Sequence, residues 1–172
     1  SKFIATKFNM YQLSTGEFLR KEMSKNTQIG KKISTVINSG SLVSDQIVSD
    51  LIEKVISNNE YRSRIIFDGY PRNLNQAKNL ENLLKKYDQK IDIVLKLSVS
   101  LETIKKRISE RRTQEKRPDD IEKIAIKRFE TYEKSTEPII EYYKKLNLLK
   151  VVDGERPIDQ INNEISDIIS SI

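Results

Sequence analysis

Ile65-Ile66-Phe67-Asp68-Gly69-Tyr70-Pro71-Arg72 is the stretch from which the rest of the chain can be read. Three apolar residues in a row suit a buried strand, and that strand ends in a carboxylate. Gly69 then lets backbone come close to a ligand, and Arg72 follows four residues after Asp68. In open α/β sheets, ligands bind beyond the carboxyl ends of the strands. A carboxylate there can hold Mg²⁺ through water, and a guanidinium fork grips phosphate. The same letters also suit a plain strand-to-turn junction, since Asp-Gly is a common turn pair. Shape alone does not choose between the two.

Working outward, short apolar runs alternate with helix-period segments. Strands are predicted at Tyr11–Leu13, Arg64–Phe67, Ile93–Val99 and Leu148–Val152. Helices are predicted at Phe18–Met23, Gln28–Asn38, Ser44–Ile56, Asn75–Tyr87, Leu101–Arg111, Ile121–Lys145 and Ile158–Ile169. Strands separated by helices argue for a parallel sheet covered on both faces. The nearly unbroken apolar run at Ile93–Leu97 suits a strand buried on both faces. Ser100 can cap a helix, and Asp119 with Glu122 has capping-box spacing. Pro138 predicts a break in the long helix near Thr136, because it removes an interior donor.

The totals narrow the chemistry. The 172 residues suit one domain. There is no Cys and no His. That excludes disulfides, zinc knuckles, cysteine nucleophiles, Ser-His-Asp hydrolysis and His-ligated metals. Phosphoryl transfer, which works by positioning and electrostatics, remains. The net charge of +6 favours anionic partners. No run approaches 18 apolar residues, so the expectation is a soluble, cytoplasmic protein without a membrane segment.

Three further groups could meet an anion. Ser14-Thr15-Gly16-Glu17-Phe18-Leu19-Arg20 puts a hydroxyl and free N–H groups at a helix start, with Arg20 a turn later; a plain N-cap with a surface Arg reads equally simply. Arg107 and Arg111 share a helix face, at a small like-charge cost that a bound polyphosphate would reverse. A solvated face would explain them too. A nucleic-acid patch fits less well, because no aromatic interleaves these arginines. Arg128 falls on the apolar stripe Ile121, Ile124, Ala125, Phe129 and Tyr132. A guanidinium pointing inward needs an anion, either an internal carboxylate or a ligand phosphate.

Taken together, these pieces resemble the adenylate kinase family. The resemblance runs from Ser1 almost to Ile172. It takes in Ser14–Arg20, Gly40-Ser41-Leu42-Val43-Ser44-Asp45, Asp68–Arg72 with Gln76, Arg107 and Arg111, Arg117-Pro118-Asp119-Asp120, Arg128 with Thr136–Ile140, and Val152-Asp153-Gly154. It implies a three-layer α/β fold of the P-loop NTPase kind. In that fold a parallel sheet has helices on both faces, a monophosphate-binding insert near 14–43 and a lid near 110–120. It implies ATP + AMP ⇌ 2 ADP with Mg²⁺, in the service of purine nucleotide balance. Carried over by motif, Thr15, Arg20, Ser41, Leu42, Val43, Gly69, Arg72 and Gln76 would bind AMP. Arg107, Arg111 and the backbone near Gly154 and Arg156 would meet ATP. Arg117 and Arg128 would clamp the AMP phosphate and the transferring group. Arg72, Arg111, Arg117 and Arg128 would serve catalysis, and Asp68 would orient magnesium-bound water. A cis bond before Pro71 is also implied. Lid closure, for which adenylate kinases are a standard example, would bring the lid arginines to the ligand.

The lid is short, with Arg112–Lys116 alone between Arg111 and Arg117, so no zinc is expected. Partners are expected to be ATP, AMP and ADP rather than nucleic acid or membrane, and the state a monomer. The family's Gly-rich phosphate loop ending in Gly-Lys, and the strand before it, are not in this sequence. As written, the chain is therefore expected to be impaired, and a relic that only binds nucleotides is the alternative. UMP/CMP kinases are the nearest rival within the fold. They usually carry Ala where this chain has Thr15 and Asn where it has Gln76, so both positions favour AMP.

Overall fold

The computed structural model describes residues 1–24, 27–39, 43–115 and 122–172, and their side chains except at 22, 28, 29, 32, 111–115, 122, 123, 125, 128 and 133. In chain order the elements are α1 (Lys2–Lys7), β1 (Tyr11–Ser14), α2 (Thr15–Ser24), α3 (Gln28–Asn38), α4 (Asp45–Ile56), a 3₁₀ turn (Asn59–Tyr61) and β2 (Ile65–Asp68). There follow α5 (Leu74–Lys86), β3 (Val94–Ser98), α6 (Leu101–Glu115), α7 (Glu122–Lys145), β4 (Leu149–Asp153) and α8 (Ile158–Ser170). The fold is mixed α/β, and its described strands are parallel.

The strands form two pairs, not the single sheet that the sequence predicts. β1 lies beside β2, with Tyr11 opposite Ile65 and Ser14 opposite Asp68. β3 lies beside β4, with Val94 opposite Leu149 and Ser98 opposite Asp153. Among the described residues no strand joins one pair to the other. The two-face burial expected of Ile93–Leu97 is not realised either. Leu97 is 45% exposed and Val151, on β4, is 57% exposed. With only β4 bonded to β3, apolar side chains on this pair keep part of their surface in water.

Two cores hold the elements. Around β1 and β2, α2 to α5 bury Leu13, Leu19, Ile33, Val48, Ile52, Ile56, Leu80 and Leu84. A smaller cluster joins Ala77 of α5 to Ile139 and Tyr143 of α7, flanked by Val94 and Leu149. Thus α5 touches both cores and spans the strand pairs. At the other end of the chain, α8 packs on β4 and α1 packs on α8.

Local signals account for most boundaries. Thr27 caps α3 by accepting from the Gly30 N–H at 3.0 Å. Asn73 caps α5, accepting from the Gln76 N–H at 2.8 Å. Ser100 Oγ accepts from the Thr103 N–H, as its position before α6 predicts. Asp119 lies outside the described residues. Pro138 does not break its helix: α7 runs through it without interruption. The missing N–H costs one interior bond, but Ile139 and Tyr143 directly beyond it are buried, and their packing offsets the loss.

Among the described residues, the Tyr143 hydroxyl is buried without a hydrogen-bond partner. A buried hydroxyl left unsatisfied costs about 1–3 kcal/mol. The Tyr143→Phe variant should therefore match the parent or gain up to about 1 kcal/mol in a urea titration. A loss beyond about 1 kcal/mol would mean that the hydroxyl is bonded in solution.

Candidate functional site

Parallel register brings the first two motifs together. Because Ser14 pairs with Asp68, both strands end at one level and both chains leave on the same side. Thr15, the next residue, is buried at 3% exposure, and its hydroxyl donates to the Gly69 carbonyl at 3.1 Å. Gly69 has φ of 72°. That left-handed conformation suits glycine, and it turns the chain sharply off β2. A Cβ there would stand 3.2 Å from the Arg72 guanidinium and 3.5 Å from the Thr15 hydroxyl. Arg72 Nε in turn donates to the Gly69 carbonyl at 2.8 Å. The Tyr70-Pro71 bond is cis, as the motif implies.

These residues edge a cleft of about 380 Å³. Thr15, Gly16 and Arg20 enter it from α2, Gly69 and Arg72 from the turn after β2, and Gln76 from the first turn of α5. Val43 and Val48 supply an apolar wall. Arg20 folds back over its own helix start, its guanidinium 3.4 Å from where a Cβ on Gly16 would sit. The fourth wall is α7, through Thr131, Tyr132, Ser135 and Thr136. Tyr132, expected on a buried stripe, is 46% exposed because it faces this cleft. The size suits one small ligand, and the mixture of apolar wall and convergent polar groups suits an anionic one with a flat apolar part.

Asp68 sits where the strand ends. Its Oδ2 accepts from Gln12 Nε2 at 2.6 Å. That bond fixes the carboxylate in place. One oriented carboxylate fits a magnesium ion that keeps its waters and takes its remaining ligands from phosphates. Among the described residues there is no cluster of carboxylates able to hold a metal by themselves.

The second strand pair builds a separate corner by the same rule. Ser98 pairs with Asp153, and the Gly154 N–H donates to the Ser98 carbonyl at 2.8 Å. A Cβ at Gly154 would lie 2.5 Å from Val99 Cγ1 and 3.0 Å from that carbonyl, so only glycine fits. Arg107 reaches across from α6 and donates to the Gly154 carbonyl at 2.7 Å. Glu155 accepts from the Ser100 N–H and the Thr103 hydroxyl, tying this turn to the start of α6. Those bonds, the Thr103 one first, hold its carboxyl below the usual range. The Arg156 side chain turns away to pair with Glu164 and Asp153.

The structure therefore brings Thr15, Arg20, Val43, Gly69, Arg72 and Gln76 to one cleft, and Arg107, Gly154 and Arg156 to another corner. Arg111 and Arg128 lie on α6 and α7, the latter one turn before Thr131 and Tyr132, but their side chains lie outside the described residues. Ser41, Leu42 and Arg117 lie outside the described residues altogether. Helix α6 continues four residues beyond its predicted end and so enters the range read as a lid. Sequence reasoning gave no role to Asp45, Ser135 or Thr136. Asp45 and Thr136 do fall inside motifs quoted above, which is the signal that could have found them.

Comparison with known proteins gives one answer. The adenylate kinase family profile matches residues 1–148. The adenylate kinase of Pelagibacter ubique is 41% identical, over 96% of this chain and 90% of that protein. The Prochlorococcus marinus (strain MIT 9515) adenylate kinase is 40% identical over 89% of this chain and 81% of its own length. The Archaeoglobus fulgidus adenylate kinase is 32% identical over 100% of this chain and 92% of its own.

Burial pushes the Tyr70 phenol up to about 12, opposed by a side-chain hydrogen bond with Asn79 and reinforced by the charge on Asp45. The folded protein holds this proton more tightly than the unfolded chain, whose tyrosines titrate near 10. Its contribution to stability is whole below pH 10 and is lost as pH rises toward 12. Urea midpoints measured from pH 9 to 12 should fall in that window, and the Tyr70→Phe variant should fall less steeply.

Proposed function

The chain belongs to the adenylate kinase family, and from that premise we propose that it transfers the terminal phosphoryl group of Mg-ATP to AMP, giving two ADP. The single observation that supports this reading most is the shared cleft: two arginines, Arg20 of α2 and Arg72 of the turn after β2, edge one space with Thr15, Gly69 and Gln76. A monophosphate whose phosphate meets the guanidinium groups would place its base toward Gln76 and the valine wall. Ser41 and Leu42 would continue that wall beside Val43.

Across from it, Arg107 and the backbone at Gly154 and Arg156 would take the adenine of ATP. Arg111, Arg117 and Arg128, with Arg72, would surround the transferring group. No covalent intermediate is needed. In-line positioning and neutralisation of charge on the equatorial oxygens lower the barrier. Each charge-assisted hydrogen bond contributes roughly 1.5–3 kcal/mol. Magnesium, when bound, screens the phosphates, and Asp68 would orient its water. Arginine keeps its proton across neutral pH, so the clamp should vary little there.

Two measurements test the reading, both on a chain extended upstream by a Gly-rich phosphate loop. In a coupled assay of ADP formation, AMP should be preferred over UMP and CMP by at least about tenfold, or about 1.4 kcal/mol. Equal rates with UMP would transfer the assignment to the pyrimidine kinases. The Arg72→Ala variant should lose about a hundredfold or more in kcat/KM. A loss of less than about threefold would remove Arg72 from the clamp.

A further inference from the structure

Gln76 is a buried polar side chain, 3% exposed, and both ends of its amide are engaged. Its Oε1 accepts from the Arg72 backbone N–H at 2.7 Å. Its Nε2 donates to Asp45 Oδ1 at 2.7 Å. Each partner works in one sense only: a backbone N–H can only donate and a carboxylate can only accept. A flipped amide would set donor against donor and acceptor against acceptor. The orientation is therefore fixed by chemistry rather than chosen by packing. The two bonds consume one of two N–H groups and one of the oxygen's two lone pairs, so one donor and one acceptor remain.

Asp45 also secures the ground on which Gln76 stands. Asn73 Nδ2 donates to both of its oxygens, at 3.1 and 3.3 Å. The Oδ1 of the same Asn73 caps α5 by accepting from the Gln76 N–H. Asp45 is itself the first residue of α4, where the helix dipole favours a negative charge. One carboxylate thus links the starts of two helices and the amide between them.

We propose that Asp45 is a positioning residue for nucleobase selection. It fixes which way the Gln76 amide points, so that the cleft presents one donor beside one acceptor, the pattern that an adenine edge complements. This rests on the reading that Gln76 meets the base, and the test keeps the two separable. Calorimetric titration of the 172-residue chain with AMP and with UMP gives the ratio of the two dissociation constants. Asp45→Ala should raise the AMP constant about tenfold and leave the UMP constant within about twofold, so the ratio collapses. Asp45→Asn retains a carbonyl acceptor for Gln76 Nε2 and should return the ratio to within about threefold of the parent. Gln76→Ala should abolish the ratio as well.

If Gln76→Ala preserves the ratio, or the parent binds both nucleotides equally, the base reading fails and takes this proposal with it. If Gln76→Ala abolishes the ratio while Asp45→Ala preserves it, or weakens both nucleotides alike, the role of Asp45 alone is overturned. Asp45→Leu, similar in size and without an acceptor, supplies the same comparison should the alanine form not fold by circular dichroism.

Discussion

The parallel register of β1 on β2 is the constraint from which the site follows. Pairing Ser14 with Asp68 sets the next residues of both chains side by side, so Thr15 bonds the Gly69 carbonyl across the gap. A slip of one residue would turn the side chains of one strand to the opposite face and carry Leu13 out of the core. That burial, with Ile52 and Ile56 beneath it, holds the register. The hydrophobic core therefore positions the polar groups at its edge. Arg20 and Arg72, more than fifty residues apart in sequence, reach one cleft because two short strands stop at the same height.

The β3–β4 pair repeats the device with different parts. Ser98 beside Asp153 brings Gly154 within hydrogen-bond reach of the first strand's end, and glycine is required because a side chain would strike Val99. Here the closing bonds come from charged side chains: Arg107 to a carbonyl and Glu155 to a helix start. In each corner a strand terminus supplies backbone groups and a neighbouring helix supplies charge. This is the general reason that open α/β sheets bind ligands at their carboxyl ends.

Much of this was legible in the sequence, for identifiable reasons. Runs such as Ile65–Phe67 and the helical stripes carry their period openly, and Gly69 beside Asp68 marks the exit from a strand. What misled was local. Pro138 signals a break, yet the burial of Ile139 and Tyr143 overrides one missing bond, and burial depends on distant partners. Ile93–Leu97 reads as a strand covered on both faces, but coverage depends on which strands lie beside it, and the pattern of one segment cannot report that. The Asp45–Gln76 bond joins residues 31 apart through an acidic residue at a helix start, where a carboxylate already has an ordinary explanation.

That bond also bears on how selectivity and affinity are divided in the cleft. Phosphate recognition by arginine is tolerant, since a flexible cation finds an anion from several directions and cannot lose its charge. The Arg72 Nε bond to the Gly69 carbonyl steers the guanidinium without cancelling its charge. Base recognition is not tolerant, because an amide turned the wrong way presents the opposite pattern. Selectivity therefore needs a partner that can act in one sense only. A carboxylate and a backbone N–H, one at each end of Gln76, meet that need. Hydroxyls at both ends, each able to donate and to accept, would leave the amide free to turn.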